Sequence, residues 1–300
     1  MRILVTGATG FIGSHLVPLL VGLPHTAVSI LALESFSHLD ISPLPPSLAA
    51  IRDRLHIVYG DLRNFRLTVR ALQEAEPDYI IHLAAVGVTN PFMEIDTALR
   101  HNLNGTINLI RAAFEKTGAT KQLIVARTSG EPGSMNVYAA SKAAAWNFCQ
   151  MFTRTQGWPI HGAMIFQAYG PGQSERNLIP TAVRAALAGQ DFPMTAGTQE
   201  RDWIFVTDVV TGIAVMLDKP IPPGETIELG TGETVSVANV VRLIYKLVNG
   251  AGEPRIGTLP SRPGEEQRQV ANVAHAYHLT GWKTAVSLND GLHQTIEGMK

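Results

Sequence analysis

The chain has 300 residues, 45% of them hydrophobic and 16% charged, with a formal net charge of −1. A large core is therefore possible, and the near-neutral charge gives no electrostatic reason to expect nucleic acid or an acidic membrane surface as a partner. Because there is no membrane-length apolar run, no signal peptide, no second cysteine beside Cys149 and no zinc-like spacing, we expect a cytoplasmic globular protein without a metal.

The first half of the chain alternates short apolar runs with helix-compatible segments, a pattern typical of repeated strand–helix–strand units. Near-continuous apolar strands joined by crossovers predict a parallel sheet that is covered on both faces and wound right-handedly. The expected fold class is α/β, with a Rossmann-type doubly wound parallel sheet in residues 1–168. The predicted strands are Ile3–Val5, Val28–Leu33, His56–Tyr59, Tyr79–Leu83, Gln122–Ala126 and Ile160–Ile165.

The second half has shorter elements, and proline-rich turns interrupt them at Tyr169-Gly-Pro-Gly172, Pro220-Ile-Pro-Pro-Gly224 and Arg262-Pro-Gly264. This change of pattern predicts a smaller α/β lobe in residues 169–300. Some of its segments are expected to return to the first domain.

Three glycines follow the first predicted strand at every third position, Gly7, Gly10 and Gly13. The first permits a tight turn, the second lets the backbone approach a diphosphate, and the third lets the next helix pack closely on the strand. An anion would then lie at the helix N-terminus, where free N–H groups and the helix dipole favour negative charge. The alternative is that the glycines are only turn and packing residues.

An acid follows each of the next two strands. Glu34 comes about twenty residues after the glycines, where a carboxylate would accept hydrogen bonds from the adenosine ribose of NAD and repel the 2′-phosphate of NADP. Asp61, with Leu62, is a candidate contact for the adenine edge. The alternatives are a solvated loop glutamate and ordinary turn chemistry at the aspartate.

The stretch Tyr138-Ala-Ala-Ser-Lys142 is a candidate for proton transfer. On a helix, Tyr138 and Lys142 lie one turn apart on the same face. A nearby ammonium and the positive nicotinamide ring would lower the pKa of the phenol, which could then take a hydroxyl proton while hydride leaves the same carbon. In the alternative, the tyrosine packs in the core and the lysine points to solvent.

Taken together, six stretches resemble the extended short-chain dehydrogenase/reductases, and specifically the NAD-dependent nucleotide-sugar epimerase/dehydratase family. The resemblance implies a Rossmann domain, a C-terminal nucleotide-sugar lobe, and a homodimer built through a helix bundle that includes the Tyr138 helix. The matching stretches are Thr6-Gly-Ala-Thr-Gly-Phe-Ile-Gly-Ser-His15, Gly60-Asp-Leu62, His82-Leu-Ala-Ala85, Asn102-Leu-Asn-Gly-Thr106, Tyr138-Ala-Ala-Ser-Lys142 and Tyr169-Gly-Pro-Gly172.

The resemblance also assigns roles residue by residue. It puts a hydroxyl after the fifth strand, Thr128 with Ser129 as the contender, on the reacting sugar oxygen. It implies substrate contacts by Asn177, Leu178, Arg201, Arg262 and Glu265, for which surface salt bridging is the alternative reading of the charged members. It implies cofactor contacts by Gly7, Gly10, Phe11, Ile12, Gly13, Glu34, Asp61, Leu62, Leu83, Ala84, Ala85, Asn102, Tyr138, Lys142 and Gln167.

The chain also departs from the family pattern. Met164 stands where an arginine is usual and Gln167 where an asparagine is usual, before the Tyr-Gly-Pro turn. Only residues 130–137 separate Ser129 from Tyr138, a shorter loop than in many members. A more open substrate pocket is expected on that side.

Sugar dehydratases of this family carry an Asp-Glu pair after the threonine, whereas this chain has Ser129-Gly130, with Glu131 as the nearest carboxylate. One acid is a poor substitute for two distinct proton-transfer roles. The leading hypothesis is therefore a 4-epimerase acting on a UDP- or dTDP-linked sugar with NAD. The alternatives are a reductase of a nucleotide-linked keto-sugar or a related oxidoreductase, and a non-catalytic dinucleotide sensor, against which Tyr138 and Lys142 argue.

Overall fold

The structure is a computed structural model that describes residues 1–33, 44–260 and 266–300. The strands are β1 (Arg2–Thr6), β2 (Ala27–Ala32), β3 (Leu55–Tyr59), β4 (Tyr79–His82), β5 (Gln122–Thr128), β6 (Ile160–Ile165), β7 (Gln167–Tyr169), β8 (Phe192–Met194), β9 (Glu200–Arg201), β10 (Trp203–Phe205), β11 (Thr226–Leu229), β12 (Val235–Ser236), β13 (Pro254–Ile256) and β14 (Arg268–Gln269). The helices are α1 (Phe11–Gly22), α2 (Pro46–Ala49), α3 (Phe65–Ala75), α4 (Ile95–Ala98), α5 (Gly105–Arg111), α6 (Val137–Gln156), α7 (Leu178–Leu187), α8 (Val206–Met216), α9 (Val237–Val248), α10 (Val273–Thr280) and α11 (Leu288–Glu297). Short π-helical segments, Leu99–Asn104 and Ala112–Thr117, flank α5, and a 3₁₀ turn spans Arg52–Arg54.

The central sheet has seven strands in the order β3-β2-β1-β4-β5-β6-β11. The six strands predicted from the apolar runs are all present, and β1 pairs in parallel with both β2 and β4. The chain moves outward from β1 to β3 and then returns to the other side of β1 with β4. In open α/β sheets, ligands bind at this reversal of strand order, outside the carboxyl ends of the strands. The prediction of a Rossmann-type doubly wound sheet is confirmed.

Local sequence signals set the ends of the helices that matter for the site. The Asn136 side chain accepts a hydrogen bond from the Ala139 N–H at 2.8 Å and so caps the start of α6. Gly157, with φ of 70°, ends the same helix in the left-handed conformation that glycine adopts without penalty. Helix α6 therefore begins immediately before Tyr138.

The chain forms two compact units. The first comprises residues 1–164 and 210–227, and the second comprises residues 165–209 and 228–300. The sequence-based division into 1–168 and 169–300 stays a prediction about domain organisation. In the first unit, the core packs β1, β3, β4 and β5 against α3, α5 and α6.

The second unit has its own core, in which α7 and α9 pack against aromatic residues from β7 and β10 such as Tyr169 and Phe205. Its loops are held by a fully buried carboxylate, Asp202, which accepts hydrogen bonds from the Thr231, Gly232 and Ala271 backbone N–H groups. Backbone donors of this kind satisfy the buried charge. Across the described ranges, no helix is both long and apolar enough to cross a membrane.

Candidate active site

The loop after β1 is shaped by glycine. Gly7 has φ of +69°, and a Cβ built there would lie 2.5 Å from the Ala84 nitrogen and 2.7 Å from the Leu83 carbonyl carbon. A Cβ on Gly13 would meet the Gly7 oxygen and the Ala8 backbone, whereas one on Gly10 would be 3.3 Å from the Gly7 oxygen. The first and third glycines are therefore required by backbone contact.

Helix α1 begins directly after this loop, at Phe11. Its N-cap is Gly10, in an extended conformation, and no side chain caps the first turn. The first turn, with Phe11 and Ile12, contains no acidic residue. The arrangement leaves the N-terminal N–H groups to a ligand, which is the geometry that dinucleotide diphosphates use.

The end of β4 lies against the glycine loop. The Leu83 N–H donates to the Thr6 oxygen at 3.1 Å, and the Ala84 N–H donates to the Thr6 hydroxyl oxygen at 3.3 Å. After Ala85, the Val86 backbone is clamped by Asn102, whose side chain accepts from the Val86 N–H at 2.9 Å and donates to the Val86 oxygen at 3.0 Å. The structure thus brings together Gly7, Leu83, Ala84, Ala85 and Asn102, all predicted cofactor residues.

Buried His82 joins β1 to the helical layer. Its Nδ1 lies 2.7 Å from the Thr6 hydroxyl, its Nε2 lies 2.9 Å from the Thr106 hydroxyl, and Thr106 donates to the Asn102 oxygen at 2.6 Å. Because the only Thr106 hydroxyl proton goes to Asn102, Nε2 must donate and Nδ1 must accept from Thr6. Burial, with a smaller contribution from Lys142, lowers the pKa of His82 to about 3, so the ring is neutral.

Tyr138 and Lys142 lie one turn apart on α6, as predicted. The Asn102 amide donates to the Ser141 hydroxyl at 2.9 Å, and the Ser141 hydroxyl donates to the Tyr138 backbone oxygen at 2.8 Å, which ties this turn to the end of β4. Lys142 is buried, and burial lowers its pKa. Within the part of the chain that the structure describes, no hydrogen bond or ion pair holds its ammonium.

The pKa of Tyr138 differs from the sequence-based expectation. Burial raises it, and the negative charge of Glu131 raises it further. In the protein itself, burial and Glu131 therefore both oppose ionisation of the phenol. The positive charge of a bound nicotinamide would act in the opposite direction.

Gly87, which the sequence analysis missed, packs against the Tyr138 side chain. It has φ of +97°, and a Cβ there would lie 2.8 Å from the Met93 sulfur and 3.2 Å from the Tyr138 Cβ. The Tyr138 N–H donates to the Pro91 oxygen at 3.1 Å. The loop after β4 thus fixes the ring position, and no local pattern around Gly87 signals that contact.

The candidate hydroxyls lie at the end of β5. Thr128 is the last residue of the strand, and its hydroxyl oxygen is 3.4 Å from the Gly130 N–H. Ser129 follows it, and both residues are partly exposed. Glu131 is buried, and its carboxylate binds the Arg127 guanidinium at 2.7 Å and the Thr128 N–H at 2.9 Å.

Asp61 is held by its own turn. Its carboxylate accepts from the Arg63 N–H at 2.9 Å and pairs with the Arg63 guanidinium at 2.6 Å, which holds the pKa of Asp61 below its usual range. These contacts are the turn chemistry that was the alternative reading. The adjacent Leu62 accepts from the Asn108 amide at 2.8 Å.

Four further predicted residues belong to the second unit. Gln167, Asn177 and Leu178 line one cavity of about 40 Å³. Asn177 is the residue before α7, and its side chain does not cap that helix. Arg201, in β9, donates to the Glu200 oxygen at 2.8 Å.

Three predicted residues, Glu34, Arg262 and Glu265, lie outside the described residues. Within residues 1–33, 44–260 and 266–300, no group of three or more His, Cys, Asp or Glu side chains is arranged to hold a metal ion.

The residues present fit a dinucleotide. The Gly7 and Gly13 positions have no room for a side chain, the α1 N-terminus is uncapped, and buried Lys142 has an ammonium suited to a ribose hydroxyl. These observations come from separate elements of the first unit.

Known proteins provide an independent comparison. The dTDP-glucose 4,6-dehydratase of Xanthomonas campestris is 30% identical, over 98% of this chain and 92% of that protein. The solved structure of UDP-glucose 4-epimerase from Thermotoga maritima has a TM-score of 0.86 at 23% identity, covering 100% of this chain and 98% of that chain. DesIV, a dTDP-glucose 4,6-dehydratase of Streptomyces venezuelae solved with NAD, has a TM-score of 0.83 at 26% identity, covering 99% and 96%.

A family model covers most of the chain as well. Residues 3–230 match the NAD dependent epimerase/dehydratase family. This match and the 30% identical relative confirm the resemblance seen in the motifs and the expectation of NAD as cofactor. The chain belongs to the NAD dependent epimerase/dehydratase family, an enzyme family that acts on nucleotide sugars with NAD.

Proposed function

We propose that this protein is a nucleotide-sugar 4-epimerase that oxidises and re-reduces C4 of a UDP- or dTDP-linked sugar. Its family includes both epimerases and dehydratases, so the choice depends on this chain's own residues. The residue positions that follow Thr128 carry the argument.

The observation that carries the proposal is the bonding of Glu131. Loss of water from a sugar requires one group to protonate the leaving hydroxyl and another to remove a neighbouring proton. Ser129 and Gly130 offer no carboxyl group, and both Glu131 oxygens are engaged, one by Arg127 and the other by the Thr128 N–H. Neither carboxylate oxygen is therefore free to contact a leaving hydroxyl. The chain therefore has groups for redox chemistry at C4, and residues 129–131 do not provide a free acid pair for dehydration.

The predicted catalytic residues each have a role in the oxidation and reduction at C4. Tyr138 takes the proton of the C4 hydroxyl and returns it at the end of the cycle. Thr128, or Ser129, binds the same oxygen through its hydroxyl, and Lys142 supplies positive charge beside the phenol. When bound, NAD accepts hydride from C4 and gives it back. Rotation of the keto-sugar between the two transfers inverts the carbon.

The second unit is proposed to bind the nucleotide diphosphate. Asn177 and Leu178 precede and begin α7, so the N–H groups of that first turn are available to an anion. Arginine suits phosphate because its guanidinium is planar and permanently charged, which favours Arg201. Arg262 and Glu265 stay sequence-based proposals for the nucleotide.

The product distinguishes the candidate reactions. With UDP- or dTDP-hexoses or hexuronates and catalytic NAD, we expect a product of unchanged mass with inverted C4 stereochemistry by NMR. A product lighter by one water would assign a dehydratase instead. Stoichiometric consumption of reduced cofactor with a keto-sugar, without isomerisation of any hexose, would assign a reductase.

We also propose a homodimer formed through α4 and α6. Large apolar side chains are exposed on or next to these helices: Ile95 of α4 is 60% accessible, Phe148 of α6 is 41% accessible, and Phe92, in the loop before α4, is 62% accessible. Exposed apolar groups of this size on neighbouring elements are typical of an association surface. We expect light scattering to report a dimer for the native protein and a monomer for Ile95→Asp, since an acid is tolerated in the first turn of a helix. Leu187→Asp, at an exposed leucine of α7, is the control, and a native monomer would contradict the proposal.

A further inference from the structure

A buried ion pair joins β5 to the loop before α6. The Arg127 and Glu131 side chains are only 13% and 2% exposed, and their charged groups approach to 2.7 Å. The Arg127 Nε also donates to the same carboxylate oxygen at 2.8 Å. Burying two charges is costly even when they pair, so a pair of this kind calls for an explanation.

The other contacts of the pair are also specific. Arg127 donates to the Thr226 hydroxyl at 2.9 Å, and its guanidinium carbon lies 4.4 Å from the centre of the Trp146 ring. The second Glu131 oxygen accepts from the Thr128 N–H at 2.9 Å. The guanidinium is thus fixed between a β-strand hydroxyl and an aromatic face, and it holds the carboxylate in one position.

This position is beside the catalytic face of α6. Trp146 lies one turn after Lys142, which itself lies one turn after Tyr138, so the three residues form one stripe on the helix. At the start of the same helix, a Cβ on Gly130 would be 3.5 Å from the Ala139 Cβ. The residue before Glu131 therefore lies against the first turn of α6.

Without Glu131, the charged side chains in this region, Arg127 and Lys142, would both be positive. Lys142 and Arg127 are cations, His82 is a neutral ring, and burial raises the pKa of the Cys149 thiol to about 12, so that it is also neutral. Glu131 raises the pKa of Lys142, whereas Arg127 lowers it. Glu131 is thus the carboxylate whose charge favours the protonated form of Lys142.

We propose that Glu131 is the counter-ion that keeps buried Lys142 protonated, and that Arg127 is the positioning residue that holds the Glu131 carboxylate in place. The assignment deepens the proposed function, because Lys142 must be charged to favour the Tyr138 phenolate. It also gives a role to Glu131 directly after Ser129 and Gly130, the two positions where dehydratases of the family carry their acid pair. Glu131 acts through Lys142 and takes no proton from the substrate.

The first test measures stability and needs neither cofactor nor substrate. Glu131→Gln should lower the Tm, and the same substitution should lower it less in a Lys142→Met background, because one of the two cations that need the carboxylate is then gone. If Glu131→Gln does not fold alone, Glu131→Asp is compared in the two backgrounds instead. Additive losses would overturn the assignment.

A matched control exists on the surface. Arg111 and Glu115 form the same i,i+4 pair at 3.1 Å, with the Arg111 guanidinium 4.8 Å from the Phe65 ring centre, but both side chains are substantially exposed. Glu115→Gln should change the Tm little and should be additive with Lys142→Met, because exposed pairs contribute little.

The second test is the pH profile of kcat with any substrate that turns over. Removing a negative charge lowers the pKa of each neighbouring acid, so Glu131→Gln should move both limbs, set by Tyr138 and Lys142, to lower pH by roughly one unit. Glu131→Asp should restore the native profile in part, and Glu115→Gln should leave it unchanged. An unshifted Glu131→Gln profile contradicts the proposal, whatever the product. A failure of the epimerase assignment changes the product and leaves the shift.

Discussion

Replacing Tyr138 by phenylalanine should lower kcat by at least about a hundredfold and leave the affinity for NAD nearly unchanged. The substitution removes only the hydroxyl, and the ring keeps its packing against Gly87 and the loop after β4. Single-turnover kinetics with the true substrate and calorimetric titration with NAD measure the two effects separately.

Two further variants are compared with Tyr138→Phe. Lys142→Met should impair both turnover and NAD binding, because the buried ammonium is proposed to serve the phenol and the nicotinamide ribose. Tyr277→Phe, at a tyrosine that is 59% exposed, should change neither. If Tyr138→Phe kept more than a few per cent of native kcat, another group would have to be the base.

The raised pKa of Tyr138 bears on how the phenol can act as the base. Burial and Glu131 both oppose the phenolate. Because the positive charge of a bound nicotinamide would favour it, we expect proton removal to depend on the cofactor.

Gly7→Ala should have the second large effect and abolish NAD binding. Its Cβ would lie 2.5 Å from the Ala84 nitrogen, at a φ of +69° that alanine rarely adopts, and backbone atoms cannot move aside as a flexible side chain can. The glycine loop or the end of β4 must therefore shift. Calorimetric titration with NAD, together with a Tm measurement, checks the result.

Gly22→Ala is the control for this change. Gly22 is the last residue of α1, the helix that follows the glycine loop, and a Cβ there would have nothing within 4 Å. Alanine in a helix is about 1 kcal/mol more favourable than glycine, so a small stabilisation with unchanged NAD affinity is expected. Normal NAD binding by Gly7→Ala would show that the loop does not approach the diphosphate closely.

The central sheet was predictable because its strands are continuous apolar runs. Six of the seven strands follow from that signal, within a few residues at each end. The seventh, β11, joins the sheet after residues 165–209 of the second unit and after α8, and its four residues alternate in burial. A short strand at such a sequence distance leaves no local trace of its partner, so only the general expectation of returning segments was available.

Site residues were predictable where a residue type suited to the chemistry occurs at a characteristic spacing. The glycines, Tyr138 and Lys142 carry such patterns, and the structure places them on the expected elements. The direction of the Tyr138 pKa was not predictable, since it depends on burial and on Glu131. The Arg127–Glu131 pair has helical spacing but joins a strand to a loop, so the i,i+4 rule does not explain it.

The fate of the hydrogen on C4 tests the central claim most directly. A nucleotide-linked hexose or hexuronate carrying deuterium at C4 is incubated with the protein and catalytic NAD, and the label is located by NMR. Because hydride leaves C4 and returns from the same cofactor molecule, the epimer should keep the deuterium at C4 and gain none from solvent. Loss of the label from C4 of the product, or an epimer formed with solvent hydrogen at that carbon, would contradict the account.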